Sequence, residues 1–202
     1  MSKKRFAIFV SGNGTNMENI VKAVARRKIR NAEVAFVFSD NPEAYALTRA
    51  RRLKVASVVF SPKDFSAKET YEQELLRVCK NEKVDFIVLA GYMRLVGKTL
   101  LTAYRNKILN IHPALLPSFP GVHGIKDAHD YGVKITGVTV HLVDTGIDTG
   151  PIIFQEAVTI RSHERVGHLE KRIHAIEYKL YPQAIQCMAN GKIKINGRKV
   201  IV

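Results

Sequence analysis

The sequence predicts an α/β fold, a doubly wound and mostly parallel sheet with an added β element at its C-terminal end. Three observations carry this. Apolar runs recur early, at Arg5–Val10, Val34–Phe38, Val55–Phe60 and Phe86–Ala90. Segments with apolar residues at helical spacing separate them, giving three consecutive strand–helix–strand units and implying right-handed crossovers. Past residue 100 the pattern changes to a short strand, an alternating stretch and its partner.

Each element has its own reason. Arg5–Val10 stops at the turn Ser11-Gly12-Asn13-Gly14-Thr15-Asn16, and Met17–Lys28 follows with apolar positions 17, 20, 21 and 24. Val34–Phe38 closes at Ser39-Asp40-Asn41-Pro42, before a helix over Glu43–Leu53. Val55–Phe60 ends at Ser61-Pro62, and Ser66–Asn81 is a long amphipathic helix leading to Phe86–Ala90. Lys107–Ile111 is a short strand, and the segment from Pro113 to Gly124 is rich in proline and glycine. Lys134–Val143 alternates as a strand, Ile152–Ile160 reads as its partner, and Ser162–Cys187 carries a long helix. Lys192–Val202 reads as a terminal hairpin turning at Asn196-Gly197. No linker or repeat divides the chain, so residues 1–202 are expected to form one domain.

Composition narrows the function classes. With 46% apolar and 25% charged residues the chain fits an ordinary soluble globular protein. Cys79 and Cys187 have no metal-ligand spacing and suggest a reducing compartment. The apolar run Phe6–Val10 is too short for a signal peptide, and no segment approaches the roughly 18 apolar residues that span a bilayer. A cytoplasmic protein without membrane contact is expected. The net charge of +14 raises a nucleic-acid reading, but the basic residues are scattered and no aromatic side chains interleave with them. A plain solvated surface fits best, attraction of small anionic substrates is the second reading, and no nucleic-acid partner is expected.

Two features carry chemistry. A glycine turn between a first strand and a first helix offers free backbone N–H groups and a helix dipole to an anion. Gly12-x-Gly14 resembles the start of a dinucleotide fingerprint with Asp40 near the end of the second strand, but its third glycine position is Met17. A phosphate monoester therefore fits better than a pyrophosphate, with a purely structural turn as the remaining reading. The second feature is Asn110-Ile111-His112-Pro113. Residues at i and i+2 of a strand share a face, so the carboxamide and imidazole project together. An amide can stabilise an oxyanion, an imidazole can carry a proton near neutral pH, and a paired carboxylate fixes its tautomer and raises its pKa. Acyl transfer needs this equipment. The carboxylate remains open between Asp144 and Asp148, since either also suits turn chemistry. Each of the seven histidines, taken singly, is as compatible with a surface or packing role, and no spacing matches a zinc pattern, so no metal is expected.

Beyond these features, Asn110-Ile111-His112-Pro113-Ala114-Leu115-Leu116-Pro117, Gly137-x-Thr139-Val140-His141 and Asp144-x-x-x-Asp148-x-Gly150-Pro151 resemble the 10-formyltetrahydrofolate-dependent formyltransferases. Ser11–Asn16 narrows the resemblance to the phosphoribosylglycinamide formyltransferases of purine synthesis, from about residue 5 to 190. The resemblance implies a Rossmann-like formyltransferase fold, formyl transfer from 10-formyltetrahydrofolate to the amine of glycinamide ribonucleotide, and a catalytic trio of Asn110, His112 and Asp148. It implies that Gly14, Thr15 and Asn16 hold the substrate phosphate, and that Pro113, His174 and Glu177 contact that substrate. Position 174 is His here where bacterial relatives carry Gln. The folate would meet Met93, Arg94, Leu95, Val96, Asn110 and Asp144, with Lys68 near its tail where the family pattern has Arg. Small-molecule partners and a monomer or homodimer are expected. Methionyl-tRNA formyltransferases and formyltetrahydrofolate hydrolases share the trio but carry further domains, which are not expected in these 202 residues.

Overall fold

A computed structural model describes residues 3–202. One sheet of nine strands organises them: β1 (Lys4–Val10), β2 (Ala32–Ser39), β3 (Ser57–Val59), β4 (Phe86–Leu89), β5 (Ile108–His112), β6 (Ile135–Leu142), β7 (Ile152–Thr159), β8 (Lys194–Asn196) and β9 (Lys199–Ile201). Their spatial order is β3-β2-β1-β4-β5-β6-β7-β9-β8. The first five are mutually parallel, β6 runs antiparallel to β5 and β7 to β6, and the terminal hairpin joins the far edge through β9. The mostly parallel sheet and its added C-terminal element follow the sequence expectation.

The helices are α1 (Thr15–Ala25), α2 (Tyr45–Arg52), α3 (Lys68–Asn81), α4 (Lys98–Ala103), α5 (Gly124–Tyr131) and α6 (Val166–Ala189). They cover both faces of the sheet, which is why β1 reads as a continuous apolar run. Phe6, Ile8 and Val10 pack in a core with residues of α1, α2 and α6, whereas Ala7 and Phe9 pack in a second core with residues of α3 and α4. The period-2 alternation of a strand divides one short segment between two cores. Tyr181 of α6 is fully buried and donates its hydroxyl proton at the carbonyls of Leu89 (2.7 Å) and Leu109 (3.1 Å), seating α6 over β4 and β5. Pro182 lies inside α6 and has no N–H for the Tyr178 carbonyl; the Asn19 amide of α1 donates there instead, at 2.9 Å.

The structure trims several expected elements and adds two short helices, α4 and α5, that the sequence pattern did not reveal. α1 starts at Thr15 because Gly14 caps it in the left-handed region, and it stops early because Arg27 also turns left-handed. β3 is shorter than Val55–Phe60, since the Val55 N–H closes the end of α2 on the Ala50 carbonyl and Ser61 caps a 3-10 turn over Pro62–Asp64. α6 begins at Val166, not Ser162, because Arg161 and Glu164 form a turn of their own. Among the described residues no helix is long and apolar enough to cross a membrane.

Strand order turns back on either side of β1, toward β2 one way and β4 the other. In such sheets the loops leaving the carboxyl ends of the strands diverge at this point and open a crevice.

Candidate active site

That crevice is a cavity of about 420 Å³. Its wall is built from the turn Ser11–Asn16 after β1, the segment Leu89–Val96 at the end of β4, the end of β5, the loop Val143–Asp148 after β6, and His174 and Glu177 of α6. It gathers Gly14, Thr15, Asn16, Met93, Arg94, Leu95, Val96, Asn110, His112, Pro113, Asp144, Asp148, His174 and Glu177. Lys68 is not in the wall. It sits at the start of α3, one turn before buried Glu72, whose carboxylate accepts the Gly97 N–H directly after the Met93–Val96 segment.

Asn110, His112 and Asp148 meet at the cavity floor. Asp148 Oδ2 lies 3.3 Å from His112 Nδ1 and accepts the Gly121 N–H at 2.8 Å, while Asp148 Oδ1 accepts from Asn110 Nδ2 at 3.3 Å. The loop that delivers Asp148 leaves β6 and returns so tightly that a Cβ on Gly150 would fall 1.8 Å from the Leu142 carbonyl oxygen. Asp148 itself stands at φ 54, as does Phe119 at φ 55 across the site; such left-handed backbone costs energy for side-chain-bearing residues and concentrates at functional loops.

His141 is a member of this cluster to which the sequence reading gave no role. It is buried and pairs in register with Asn110 across β5 and β6. Its Nδ1 lies 2.8 Å from the Leu142 carbonyl, and its Nε2 lies 3.2 Å from Asn110 Nδ2 and 3.5 Å from Asp148 Oδ1. The Asn110 amide nitrogen thus stands between His141 and Asp148. The alternation of Thr139 and His141 with Val140 and Leu142 was the available signal: two buried polar side chains on the face that Asn110 and His112 share.

His112 corrects an expectation. Its Nε2 lies 2.7 Å from the Phe119 carbonyl and its Nδ1 faces Asp148, so both ring nitrogens meet acceptors. Burial nevertheless outweighs the Asp148 charge and the Phe119 carbonyl, and holds the His112 pKa below, not above, the ordinary imidazole value. Asp148 is also opposed by burial, but His141, the Gly121 N–H and His112 together keep its pKa low and the carboxylate ionised.

The other end of the cavity differs. The first turn of α1 presents its free N–H groups behind Gly14. Glu177 is buried, and its Oε2 accepts from Asn16 Nδ2 at 2.9 Å and meets His174 Nδ1 at 2.8 Å. The Glu177 hydrogen bond raises the His174 pKa against partial burial. Asn16 Oδ1 is left buried without a partner among the described residues. Asp40, the acidic residue of the dinucleotide alternative, is engaged by the Ser11 hydroxyl (2.6 Å) and Arg94 Nε (2.5 Å), while the Met93 N–H donates to Ser11 Oγ (2.9 Å). This network ties the glycine turn to the Met93–Val96 segment. Four apolar side chains of the wall, Met93, Leu95, Val122 and Ile147, are each more than half exposed. A rim of this kind marks a surface suited to a flat apolar ligand. Among the described residues no three His, Cys, Asp or Glu side chains form a cluster able to hold a metal ion.

Comparison with known proteins identifies a family. A family model described as formyl transferase matches residues 4–185. A phosphoribosylglycinamide formyltransferase of Bacillus subtilis (strain 168) is 45% identical over 183 residues, covering 91% of this chain and 93% of that protein. The trifunctional purine biosynthetic protein adenosine-3 of Drosophila melanogaster is 40% identical over 195 residues, which are 96% of this chain and 14% of that longer protein. The crystal structure of glycinamide ribonucleotide transformylase 1 from Symbiobacterium toebii superposes with a TM-score of 0.95 at 42% identity, covering 99% of this chain and 94% of that one. A cluster of Asn110, His112 and Asp148 on β5 and the β6–β7 loop, a glycine turn at one end of its cavity and a family match over residues 4–185 lead to one assignment: the chain belongs to the formyl transferase family.

Proposed function

We propose that this protein transfers the formyl group of 10-formyltetrahydrofolate to the amine of glycinamide ribonucleotide, giving N-formylglycinamide ribonucleotide in de novo purine biosynthesis, as a cytoplasmic enzyme. The observation that carries this reading is the contact of Asn110, His112 and Asp148 at the floor of a cavity with an anion-binding turn at one end and an apolar rim at the other. The Gly14–Asn16 turn takes the substrate phosphate, and Pro113, His174 and Glu177 line the path from it to the trio. The buried Glu177 carboxylate and the unpaired Asn16 Oδ1 are acceptors suited to the N–H and O–H groups of the ribonucleotide. Met93, Arg94, Leu95, Val96 and Asp144 receive the folate, with Lys68 toward its acidic tail as a point charge.

When the amine attacks the formyl carbon, negative charge develops on the formyl oxygen. Asn110 serves as one donor, turning one amide proton from its long contact with Asp148. Protonated His112 serves as the other: its Nε2–H, now directed at the Phe119 carbonyl, hydrogen-bonds the oxygen and stays on the ring. Asp148 holds Nδ1 and stabilises the imidazolium, offsetting burial at the moment it matters. His141 keeps the Asn110 amide oriented. The attacking nitrogen gives up a proton and the departing N10 gains one, with His112 or an ordered water as the relay.

The test is a spectrophotometric assay of folate release from a 10-formyl folate, run with and without glycinamide ribonucleotide. Release that requires the ribonucleotide supports the transferase. Release that proceeds equally without it would show a hydrolase, and no release in either case would remove the assignment.

A further inference from the structure

Gly12 and Asn13 of the glycine turn are exposed, and no side chain caps α1 at Gly14. The turn is held from outside instead, by α2. The Ala46 N–H donates to the Gly12 carbonyl at 3.0 Å. Arg49, on the same face of α2, holds Asn13 twice: Nε donates to its main-chain carbonyl at 2.9 Å, and a terminal nitrogen donates to its side-chain Oδ1 at 3.0 Å. Among the described residues these two acceptors have no other donor. The second terminal nitrogen donates to Glu18 in the first turn of α1, and the cation lies over the Tyr45 ring, 5.0 Å from its centroid. One guanidinium therefore joins α2, the turn and the start of α1.

We propose that Arg49 is a positioning residue for phosphate recognition, its fork fixing Asn13 so that the Gly14–Asn16 donors converge on the phosphate. This rests on the glycinamide ribonucleotide reading above. A site built from main-chain N–H groups works only when they point at a common centre, and holding them there beforehand removes an ordering cost from binding. A guanidinium suits the task because its donors sit in a rigid plane, whereas an ammonium is a point charge on a flexible stem. Charge adds to geometry. Lys22 and Arg49 share the single carboxylate of Glu18, so one positive charge is left over in the groove beside Thr15. Arg49 is not in the cavity wall and acts through Asn13, not on the substrate itself. The turn is also tied to the Met93–Val96 segment, through Ser11 Oγ. A general loosening of this region would therefore disturb the folate segment as well, whereas loss of the Arg49 fork acts on Asn13.

The experiment measures kcat and both KM values in Arg49→Met, which removes donors and charge, and in Arg49→Lys, which keeps the charge without the fork, with unfolding midpoints alongside. In Arg49→Met the KM for glycinamide ribonucleotide should rise about tenfold, the scale of one hydrogen bond to a charged group, while kcat and the KM for formyl folate stay close to the wild type. Arg49→Lys should recover only part of the loss. Asn13→Ala leaves Arg49 in place and removes one of its two acceptors, so the same KM should rise by a smaller factor. An unchanged ribonucleotide KM in Arg49→Met, or in Asn13→Ala where Arg49→Met does not fold, would overturn the proposal. Equal rises in both KM values would do the same, since they mark a general loosening. Arg49→Lys behaving as the wild type would overturn the fork and leave charge alone as the cause. All three results leave the transferase reading intact. Absence of wild-type transfer to the ribonucleotide would overturn both, and shows in the wild type alone.

Discussion

The two ends of the cavity each hold a histidine against a carboxylate, and the two rings respond in opposite directions. His112 is 3% exposed and meets Asp148 at 3.3 Å; its pKa is lowered, first by burial. His174 is 35% exposed and meets Glu177 at 2.8 Å; its pKa is raised, first by that hydrogen bond. A carboxylate neighbour therefore does not fix the sign by itself. Depth and contact distance do, since desolvation opposes the charged ring more strongly the less water remains around it. The consequence is chemical. Burial favours the neutral ring of His112, whereas the contact with Glu177 favours the protonated ring of His174.

The largest expected effect that bears on this contrast is at Asp148. Asp148→Asn removes the charge that opposes burial at His112, so the His112 pKa falls further and the alkaline limb of the pH–rate profile moves to lower pH. The loss in kcat should be on the order of 10²–10⁴, read from steady-state rates; an unmoved profile would break the pairing. At the other end, Gly14→Ala places a Cβ 2.5 Å from the Ala46 Cβ at φ 76. Left-handed strain and overpacking together should cost about 2–4 kcal/mol of stability, measured by denaturant unfolding, with KM for the ribonucleotide rising.

NMR titration of the histidines sharpens the comparison itself. In the ligand-free protein His112 should titrate below the ordinary imidazole value and His174 above it. The linkage signs follow. His112, with a depressed pKa, contributes stability present above its unfolded pKa and lost as pH falls through the folded value. His174, with a raised pKa, contributes stability present below its unfolded pKa and lost as pH rises through the folded value. The smallest effect is Asn19→Ala, which leaves the Tyr178 carbonyl in α6 without its donor; about 1–2 kcal/mol of stability should be lost with little change in kcat.

The sheet was legible in the sequence because β1, β2 and β4 are buried on both faces and stand out as apolar runs between turns. The short helices α4 and α5 were not, since six and eight residues span too few turns for periodicity to emerge. At the site, Asn110 and His112 were accessible from strand geometry alone. Asp148 was not separable from Asp144 by chemistry: both lie in one loop, and the register that brings Asp148 back to β5 depends on the close approach of Gly150 to Leu142. His141 went unassigned because its role arises from pairing with Asn110 across two strands, 31 residues apart in sequence. The lowered pKa of His112 was out of reach for a related reason, as burial is set by the closure of the Phe119–Gly121 segment over the ring, not by neighbours along the chain.

The most direct test of the catalytic trio is the rate of ribonucleotide-dependent formyl transfer by Asn110→Ala, measured beside its unfolding midpoint. Loss of one oxyanion donor predicts a fall in kcat of about 10²–10³ in a protein that unfolds close to the wild type. Turnover near the wild-type rate would contradict the account.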